Sequence, residues 1–260
     1  MTHLIAQEVS VSFSRRRVLN RLTFEVDRGE WLGIIGPNGA GKSTLLRCLV
    51  GLVPYEGSVQ ISGTDNSEKT RKQRAQELAY VPQAPVKPPG MTVREYVALG
   101  RSPHLGFFAG ESQHDASVVA EVIEVLDLAT LAHRDVATLS GGEAQRAALG
   151  RALAQRAAII ILDEPTASLD VGVQQDVLQL IEALRTRHEL TVITTMHDLT
   201  TVGQYADRLL LLSEGSVADR GSATDVLTPV NIAKYYGANV RVEHSHTGVV
   251  VIPVRPDSSG

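Results

Sequence analysis

The sequence predicts an α/β fold with a parallel sheet, antiparallel strands at its amino end and an inserted helical subdomain. Short apolar runs typical of buried strands, such as residues 31–35, 159–162 and 209–212, alternate with segments of helical spacing. Strands and helices that alternate in this way form parallel sheets. The chain has 260 residues, near the upper limit for one hydrophobic core, so we expect one core with an appended lobe.

The amino-terminal segment predicts a pair of half-buried strands. Apolar and polar side chains alternate in Val9–Phe13 and again in Leu22–Val26, which is the period of two expected for strands with one buried face. We expect these strands to be antiparallel and joined near Arg15 to Arg17. The buried strand at 31–35 follows, and a helix is predicted over Ser43–Leu52.

The middle of the chain predicts a helical insertion. Short strands are expected at 59–61 and 79–81, and residues 82–90 then hold four prolines, which neither a central strand nor a helix interior accommodates. From Thr92 to about Ala154 the apolar spacing is helical. We therefore place a helical subdomain at residues 84–154.

The last part of the chain returns to the sheet. Strands are expected at 159–162, 191–196 and 209–212, with helices between them. Residues 240–254 alternate again around Thr247 and predict a terminal hairpin. The predicted core then comprises residues 1–83 and 155–260.

Composition excludes several classes of protein. The net charge is −4 and aromatic residues make up only 4%, so neither a basic nucleic-acid surface nor a base-stacking platform is expected. The single Cys48 excludes a disulfide framework and a thiolate zinc site. No apolar run approaches the about 20 residues of a spanning helix, and Met1–Ile5 does not begin a signal peptide. We expect a soluble protein that reaches a membrane only through a partner.

A glycine-rich segment between the strand at 31–35 and the following helix fits the pattern G-x-x-x-x-G-K-[ST]. Its residues are Gly36, Pro37, Asn38, Gly39, Ala40, Gly41, Lys42, Ser43 and Thr44. Glycines let successive backbone N–H groups point at one anion, Lys42 adds charge for the outer phosphates, and the Ser43 hydroxyl can bind Mg²⁺. The alternative is a chance glycine turn at a helix end. The strand and helix on either side favour nucleotide binding.

Two carboxylates follow the buried strand at 159–162. Asp163 and Glu164 would lie beyond the carboxyl end of that strand, where open α/β sheets bind ligands, and would face the glycine-rich segment. Asp163 is suited to hold Mg²⁺ through water, and Glu164 to deprotonate an attacking water. The alternative is that both acids begin a polar loop.

A second glycine turn precedes the helix that begins near Ala144. Ser140 and Glu143 have the spacing of a capping box, which accounts for both residues. It does not account for Gly141 and Gly142, because glycine is a poor helix former. We interpret the turn as a second anion site at a helix amino terminus.

Taken in order, these motifs resemble those of the nucleotide-binding subunits of ABC transporters, across essentially the whole chain. The matching elements are Gly36 to Thr44 as Walker A, Gln83 as the Q-loop, Leu139 to Glu143 as the signature, Ile159 to Asp163 as Walker B, Glu164 as the catalytic glutamate, Ser168 to Asp170 as the D-loop and His197 as the switch histidine. One departure is Glu143, where the family most often has glutamine.

The resemblance implies a P-loop NTPase core that uses ATP and Mg²⁺. It also implies a head-to-tail homodimer in which each Walker A segment faces the signature of the other subunit. In that frame Gln83 contacts magnesium and water alongside Ser43 and Asp163, and His197 contacts the γ-phosphate. For His197 the alternative is a strand-end histidine satisfied by a neighbour. Phe13 either stacks on adenine or is a core residue at a strand end.

Val97 to His104 and the tail from Val240 to Val254 are similar to the ATPases of importers for iron chelates, haem or cobalamin. This resemblance implies a peripheral protein on the cytoplasmic side of the cell membrane, with a polytopic permease as partner and, indirectly, a substrate-binding protein. The surface around residues 84–108 would seat the permease's coupling helix, with Phe107 and Phe108 either in contact with it or buried. Two alternatives stay open, a soluble ABC ATPase such as one for iron–sulfur assembly, and the ATPase of an exporter.

Overall fold

The computed structural model describes residues 1–14, 16–106, 111–167, 169–245 and 248–255. Several residues singled out in the sequence lie outside this part of the chain: Arg15, Phe107, Phe108, Ser168 and Thr247.

Strands and helices alternate along most of the chain. The strands are β1 (Thr2–Phe13), β2 (Arg16–Asp27), β3 (Trp31–Ile35), β4 (Glu56–Ile61), β5 (Thr64–Asp65), β6 (Leu78–Val81), β7 (Ile159–Asp163), β8 (Thr191–Thr195), β9 (Arg208–Ser213), β10 (Ser216–Gly221), β11 (Val240–Ser245) and β12 (Gly248–Pro253). The α-helices are α1 (Lys42–Leu49), α2 (Arg71–Glu77), α3 (Val93–Ala98), α4 (Gln113–Val125), α5 (Gly141–Ala154), α6 (Val171–His188), α7 (Leu199–Tyr205), α8 (Ala223–Val226) and α9 (Pro229–Tyr236). Short 3-10 helices occupy Leu99–His104, Ala129–Leu131 and Val136–Thr138.

The chain divides into two compact units, of which the first comprises Met1–Ser67 and Thr191–Gly260. Within it, β1 pairs antiparallel with β2 and with β4, and β4 pairs with β5. Leu22, Phe24 and Val26 of β2 are buried while their neighbours are exposed, as the period of two predicts. The predicted amino-terminal antiparallel pair is confirmed.

The same unit holds a second group of strands, centred on β3. β3 runs parallel to both β8 and β9, and β10 pairs antiparallel with β9. Every residue of β3 is buried, as expected for a strand covered on both faces. The carboxyl ends of β3 and β8 lie side by side, because Ile34 pairs with Thr195. The loops that follow these two strands therefore leave the sheet at the same edge.

The second unit comprises Glu68–Leu190. β6 and β7 pair in parallel, and α3 packs against α4 and α5. A buried ion pair ties this helical part together: Arg101 Nε donates to Asp115 Oδ1 at 2.8 Å, and Arg101 Nη1 donates to the Ala154 carbonyl at 2.7 Å. Residues 82–90 form neither helix nor strand, as the prolines predict.

The structure contains elements that the sequence patterns did not predict, among them β10, α2, α8 and α9. Helix α2 has no buried residue and therefore no apolar periodicity; a capping box between Thr70 and Gln73 starts it instead. The predicted helix over Ser43–Leu52 is shorter, as α1, and the terminal hairpin is confirmed as β11 and β12. The predicted subdomain limits, 84–154, differ from those of the compact units and stay a prediction.

No helix in the described ranges combines the length and apolar character needed to cross a membrane.

Candidate functional site

The loop between β3 and α1 is built around three glycines. Gly36, Gly39 and Gly41 have φ values of 147°, 81° and 100°, which side chains rarely adopt. A side chain at Gly36 would also meet the Leu212 carbonyl oxygen. Gly41 immediately precedes α1, and no side chain caps this helix. A helix amino terminus without a side-chain cap, preceded by glycines of this conformation, is typical of an anion-binding loop.

Lys42 folds back onto this loop. Its side chain is buried, and its Nζ donates to the Gly36 carbonyl at 2.7 Å and to the Pro37 carbonyl at 3.2 Å. A buried ammonium is costly unless it is hydrogen-bonded, and these carbonyls supply acceptors. Lys42 is therefore held within the loop, where its charge can meet an anion that the loop binds.

His197 lies at the same edge of the first unit as this loop. Gly36 and His197 each follow the paired residues Ile34 and Thr195 by two positions. Met196 is buried, whereas His197 is exposed. The histidine is therefore presented beyond the strand ends and outside the core.

Phe13 lies at the end of β1 and is 50% exposed. Its interpretation as a core residue is wrong, since the strand end carries it away from the packed interior. Stacking on adenine stays a prediction. Aromatic side chains with an exposed face are suited to that role.

In the second unit, Gln83 and Glu164 are in direct contact. The pairing of Val81 with Leu162 brings the ends of β6 and β7 together, and two residues further on Gln83 Nε2 donates to Glu164 Oε2 at 2.5 Å. Glu164 has φ 49°, a left-handed conformation that non-glycine residues adopt at some cost. The carboxylate is therefore oriented by both its backbone and its amide partner.

Asp163 is the last residue of β7 and is 1% exposed. Tyr80, on the neighbouring β6, donates from its hydroxyl to Asp163 Oδ2 at 3.3 Å. With Gln83, this carboxylate contributes hard oxygen donors of the type that Mg²⁺ prefers. The Gln83 amide and the Asp163 carboxylate of the second unit have donor chemistry that fits magnesium held jointly with phosphate oxygens. The predicted ligand Ser43, in the first unit, carries a hydroxyl, which is also an oxygen donor.

The second glycine turn forms a complete capping box at the start of α5. The Ser140 hydroxyl accepts from the Glu143 N–H at 3.3 Å, and Glu143 Oε2 accepts from the Ser140 N–H at 2.7 Å. The Ser140 backbone N–H, and after it the hydroxyl, lowers the pKa of the Glu143 carboxyl. Neither Gly141 nor Gly142 has a positive φ. A methyl group on Gly142 would lie 3.2 Å from Val173 Cγ1, so close packing on α6 favours glycine there.

A cleft of about 620 Å³ opens beside this turn. It is lined by Ser140, Gly141, Gly142 and Glu143, by Arg146 on α5, and by Asp170, whose carboxylate caps α6 by accepting from the Val173 N–H at 3.0 Å. The signature residues and the end of the D-loop thus share one concave surface of the second unit.

Some contacts at these sites were not expected from the sequence. Lys87 Nζ, in the proline-rich segment, donates to the Leu139 carbonyl at 2.9 Å and so ties that segment to the signature turn. Tyr80 supports Asp163, as described above, although the sequence marks it only as a strand residue. Neither contact has a local signal, because the partners are far apart along the chain.

Comparison with known proteins shows the family to which this chain belongs. The family model described as "ABC transporter" matches residues 19–167, more than half of the chain. The chain belongs to the ABC transporter family.

Several relatives of this ABC protein are named as import subunits. A hemin import ATP-binding protein of Rhodococcus jostii is 39% identical over 98% of this chain and 87% of its own length. A cobalamin import ATP-binding protein of Halobacterium salinarum is 38% identical over 96% of this chain, which spans only 63% of that relative's length.

Solved structures of ABC proteins share the fold. A transporter assigned to the metal-chelate type, in an inward-facing conformation, contains a chain with a TM-score of 0.84 and 28% identity, over 98% of this chain and 99% of that one. An ATP-binding cassette solved as a dimer with ADP and phosphate has a TM-score of 0.76 and 27% identity, over 85% of this chain and 98% of the other.

Proposed function

We propose that this ABC protein binds ATP with magnesium and hydrolyses it, as the energy-coupling subunit of a membrane importer for an iron chelate, haem or cobalamin. The observation that carries the hydrolytic part is the contact of Gln83 with Glu164, next to buried Asp163, at the ends of two paired strands. A carboxylate oriented in this way can serve as a general base.

Binding is assigned to the loop of the first unit. The backbone N–H groups of this glycine-rich loop and of the first turn of α1 are assigned to the phosphates, and Lys42 contributes the positive charge for the outer phosphates. His197, exposed beyond β8, is assigned to the γ-phosphate. Phe13 is assigned to the adenine ring, for which its exposed face is suited.

Hydrolysis is assigned to the acidic end of β7. Glu164 accepts a proton from the attacking water, while the Gln83 amide keeps the carboxylate in one orientation. Ser43, Gln83 and Asp163 would hold Mg²⁺, which when bound neutralises charge on the phosphates.

The remaining part of the site is assigned to a second copy of the chain. In the family resemblance, the signature turn of one subunit completes the nucleotide site of the other. The cleft beside Ser140 to Glu143 supports this assignment, because it offers a helix amino terminus and a hydroxyl on a concave surface. The dimeric ADP-bound cassette with the same fold supports it as well.

The role in import rests on the relatives. The names of the two relatives refer to import of hemin and of cobalamin, and the matches extend over 96% or more of this chain. We therefore assign the protein to the cytoplasmic face of the membrane, bound to a polytopic permease that receives its cargo from a substrate-binding protein.

The hydrolytic role is tested with Glu164→Gln. We expect ATP binding to be retained and turnover to fall by at least about 100-fold, since removal of a general base costs about 10²–10⁴-fold. Fluorescence titration and phosphate release measure the two quantities. Glu124→Gln, at an exposed glutamate, is the control. Undiminished phosphate release from Glu164→Gln would show that another group is the base.

The transport role is tested by purification of the tagged protein from solubilised membranes. We expect a polytopic permease to co-purify, and ATP turnover in the reconstituted complex to rise when a loaded binding protein is added. Absence of any membrane protein would favour a soluble ABC ATPase, and a permease that works without a binding protein would favour an exporter.

A further inference from the structure

The terminal hairpin of β11 and β12 is hydrogen-bonded to helix α7 through one side chain. The Thr200 hydroxyl accepts from the Val251 N–H at 3.0 Å and donates to the Val251 carbonyl at 3.3 Å. A single threonine thus satisfies both backbone groups of one strand residue. Such a pair of bonds fixes the position of the strand along the helix.

The hairpin and α7 also approach each other closely along their backbones. A methyl group on Gly248 would lie 2.9 Å from the Gly203 carbonyl oxygen, and one on Gly203 would lie 3.4 Å from the Val249 carbonyl oxygen. Val249 is 2% exposed. The hairpin is therefore packed on α7 as well as hydrogen-bonded to it.

The opposite side of α7 is packed on β3, the strand that leads into the glycine-rich loop before α1. A methyl group on Gly33 of β3 would lie 2.5 Å from Val202 Cγ2, so the strand and the helix are in close contact. At its start, α7 is capped by Asp198, which accepts from the Thr201 N–H at 2.7 Å. His197 is the residue immediately before this cap.

We propose that the terminal hairpin, through Thr200, positions the switch histidine His197 for ATP hydrolysis. Thr200 is a positioning residue, because it acts through α7 and its cap. The inference rests on the role proposed for His197 above. Its physical basis is that α7 lies between β3 and the hairpin, so loss of the hairpin's hydrogen bonds lets the start of the helix shift. A small displacement of a positioned group lowers the rate of the chemical step more than it lowers affinity.

The test uses Thr200→Val, which keeps the shape of the side chain and removes both hydrogen bonds. We expect the kcat for ATP to fall roughly tenfold with KM nearly unchanged. Thr200→Ser restores the hydroxyl and should restore most of the rate. Thr224→Val, at an exposed threonine of α8, is the matched control and should leave kcat unchanged. A lower melting temperature of Thr200→Val without a change in kcat would overturn the proposal.

A second comparison separates positioning from a general loss of structure. In single-turnover measurements, Thr200→Val should add no further loss when His197 is already replaced by alanine. An equal loss in both backgrounds would show that Thr200 does not act through His197. Full turnover by His197→Ala would refute the role of the histidine and this inference with it, whereas an inactive wild-type chain would refute the proposed hydrolysis itself.

Discussion

Two glycine turns in this protein lie at helix amino termini, and they use glycine for different physical reasons. In the loop before α1, Gly36, Gly39 and Gly41 have positive φ values and the helix has no side-chain cap. In the turn before α5, Gly141 and Gly142 are helical, and a complete capping box is in place.

The difference teaches how each turn can meet an anion. The first loop precedes a helix without a side-chain cap, and it holds the Lys42 ammonium against its own carbonyls. In the second turn the capping box already uses the N–H groups of Ser140 and Glu143, so fewer donors remain for a ligand. We therefore expect the first loop to bind nucleotide by itself and the second to act only on a nucleotide that another subunit holds.

The largest expected effect comes from Ser140→Arg, which blocks the second turn. ATP binding by one subunit should be unchanged, while hydrolysis falls by about 100-fold or more, because charge-stabilising donors at a reaction centre are worth that much. Nucleotide titration measures ATP binding, phosphate release measures hydrolysis, and size-exclusion chromatography with ATP shows whether the dimer still forms.

Loss of the cap itself should cost only about 1 kcal/mol of stability. Ser140→Ala provides this control for Ser140→Arg. A fully active Ser140→Arg variant would contradict a nucleotide site that the turn before α5 of a second subunit completes.

Removal of the charge in the first loop should weaken binding directly. Lys42→Ala is expected to raise the Kd for ATP by about tenfold to 100-fold, since a charge-assisted hydrogen bond contributes about 1.5–3 kcal/mol. Isothermal titration measures it. The control is Lys72→Ala. Lys72 lies in the second unit and donates to the Leu105 carbonyl of the same unit. Equal ATP affinities of Lys42→Ala and Lys72→Ala would contradict the expectation that the first loop binds nucleotide by itself.

A matched pair of glycine substitutions tests whether glycine is needed for a positive φ in the first loop and for close packing in the second turn. Gly39 has φ 81° and open space around it, so Gly39→Ala should cost about 1 kcal/mol through backbone strain alone. Gly142→Ala should change stability by less than about 0.5 kcal/mol, because the gain in helix propensity offsets the 3.2 Å contact with Val173. Urea unfolding of both variants without nucleotide measures the difference, and equal costs would contradict it.

The smallest expected effect concerns pH and the capping box. Because the pKa of Glu143 is lower in the folded protein, its stabilisation is complete above the ordinary glutamate pKa and is lost as the pH falls through the folded value. Glu143→Gln should therefore flatten the decline of stability below about pH 4. Thermal unfolding between neutral and acidic pH measures the slope. If stability declined with falling pH as steeply in Glu143→Gln as in the wild type, the Glu143 carboxylate would contribute little to the stability of the fold.

Residues that act within one short segment were predictable. Lys42 and the glycines before it form a motif because their N–H groups and side chains meet at one helix end, and the Ser140 and Glu143 box follows from positions three apart. The contact of Gln83 with Glu164 joins residues 81 positions apart, and periodicity carries no signal for it. Helix α2 escaped prediction for the same kind of reason, since no buried face marks it.

The sequence by itself indicated the amino-terminal strand pair, the buried strands, the glycine loop before α1 and the capping box of the turn before α5, because these depend on neighbouring residues and on their backbone preferences. Only the tertiary structure decided that Phe13 is exposed, that Tyr80 supports Asp163, and that Thr200 holds the terminal hairpin on α7. Alternation of apolar and polar residues indicates which face of an element is buried. It does not specify which partner covers that face, since that depends on how distant segments pack together.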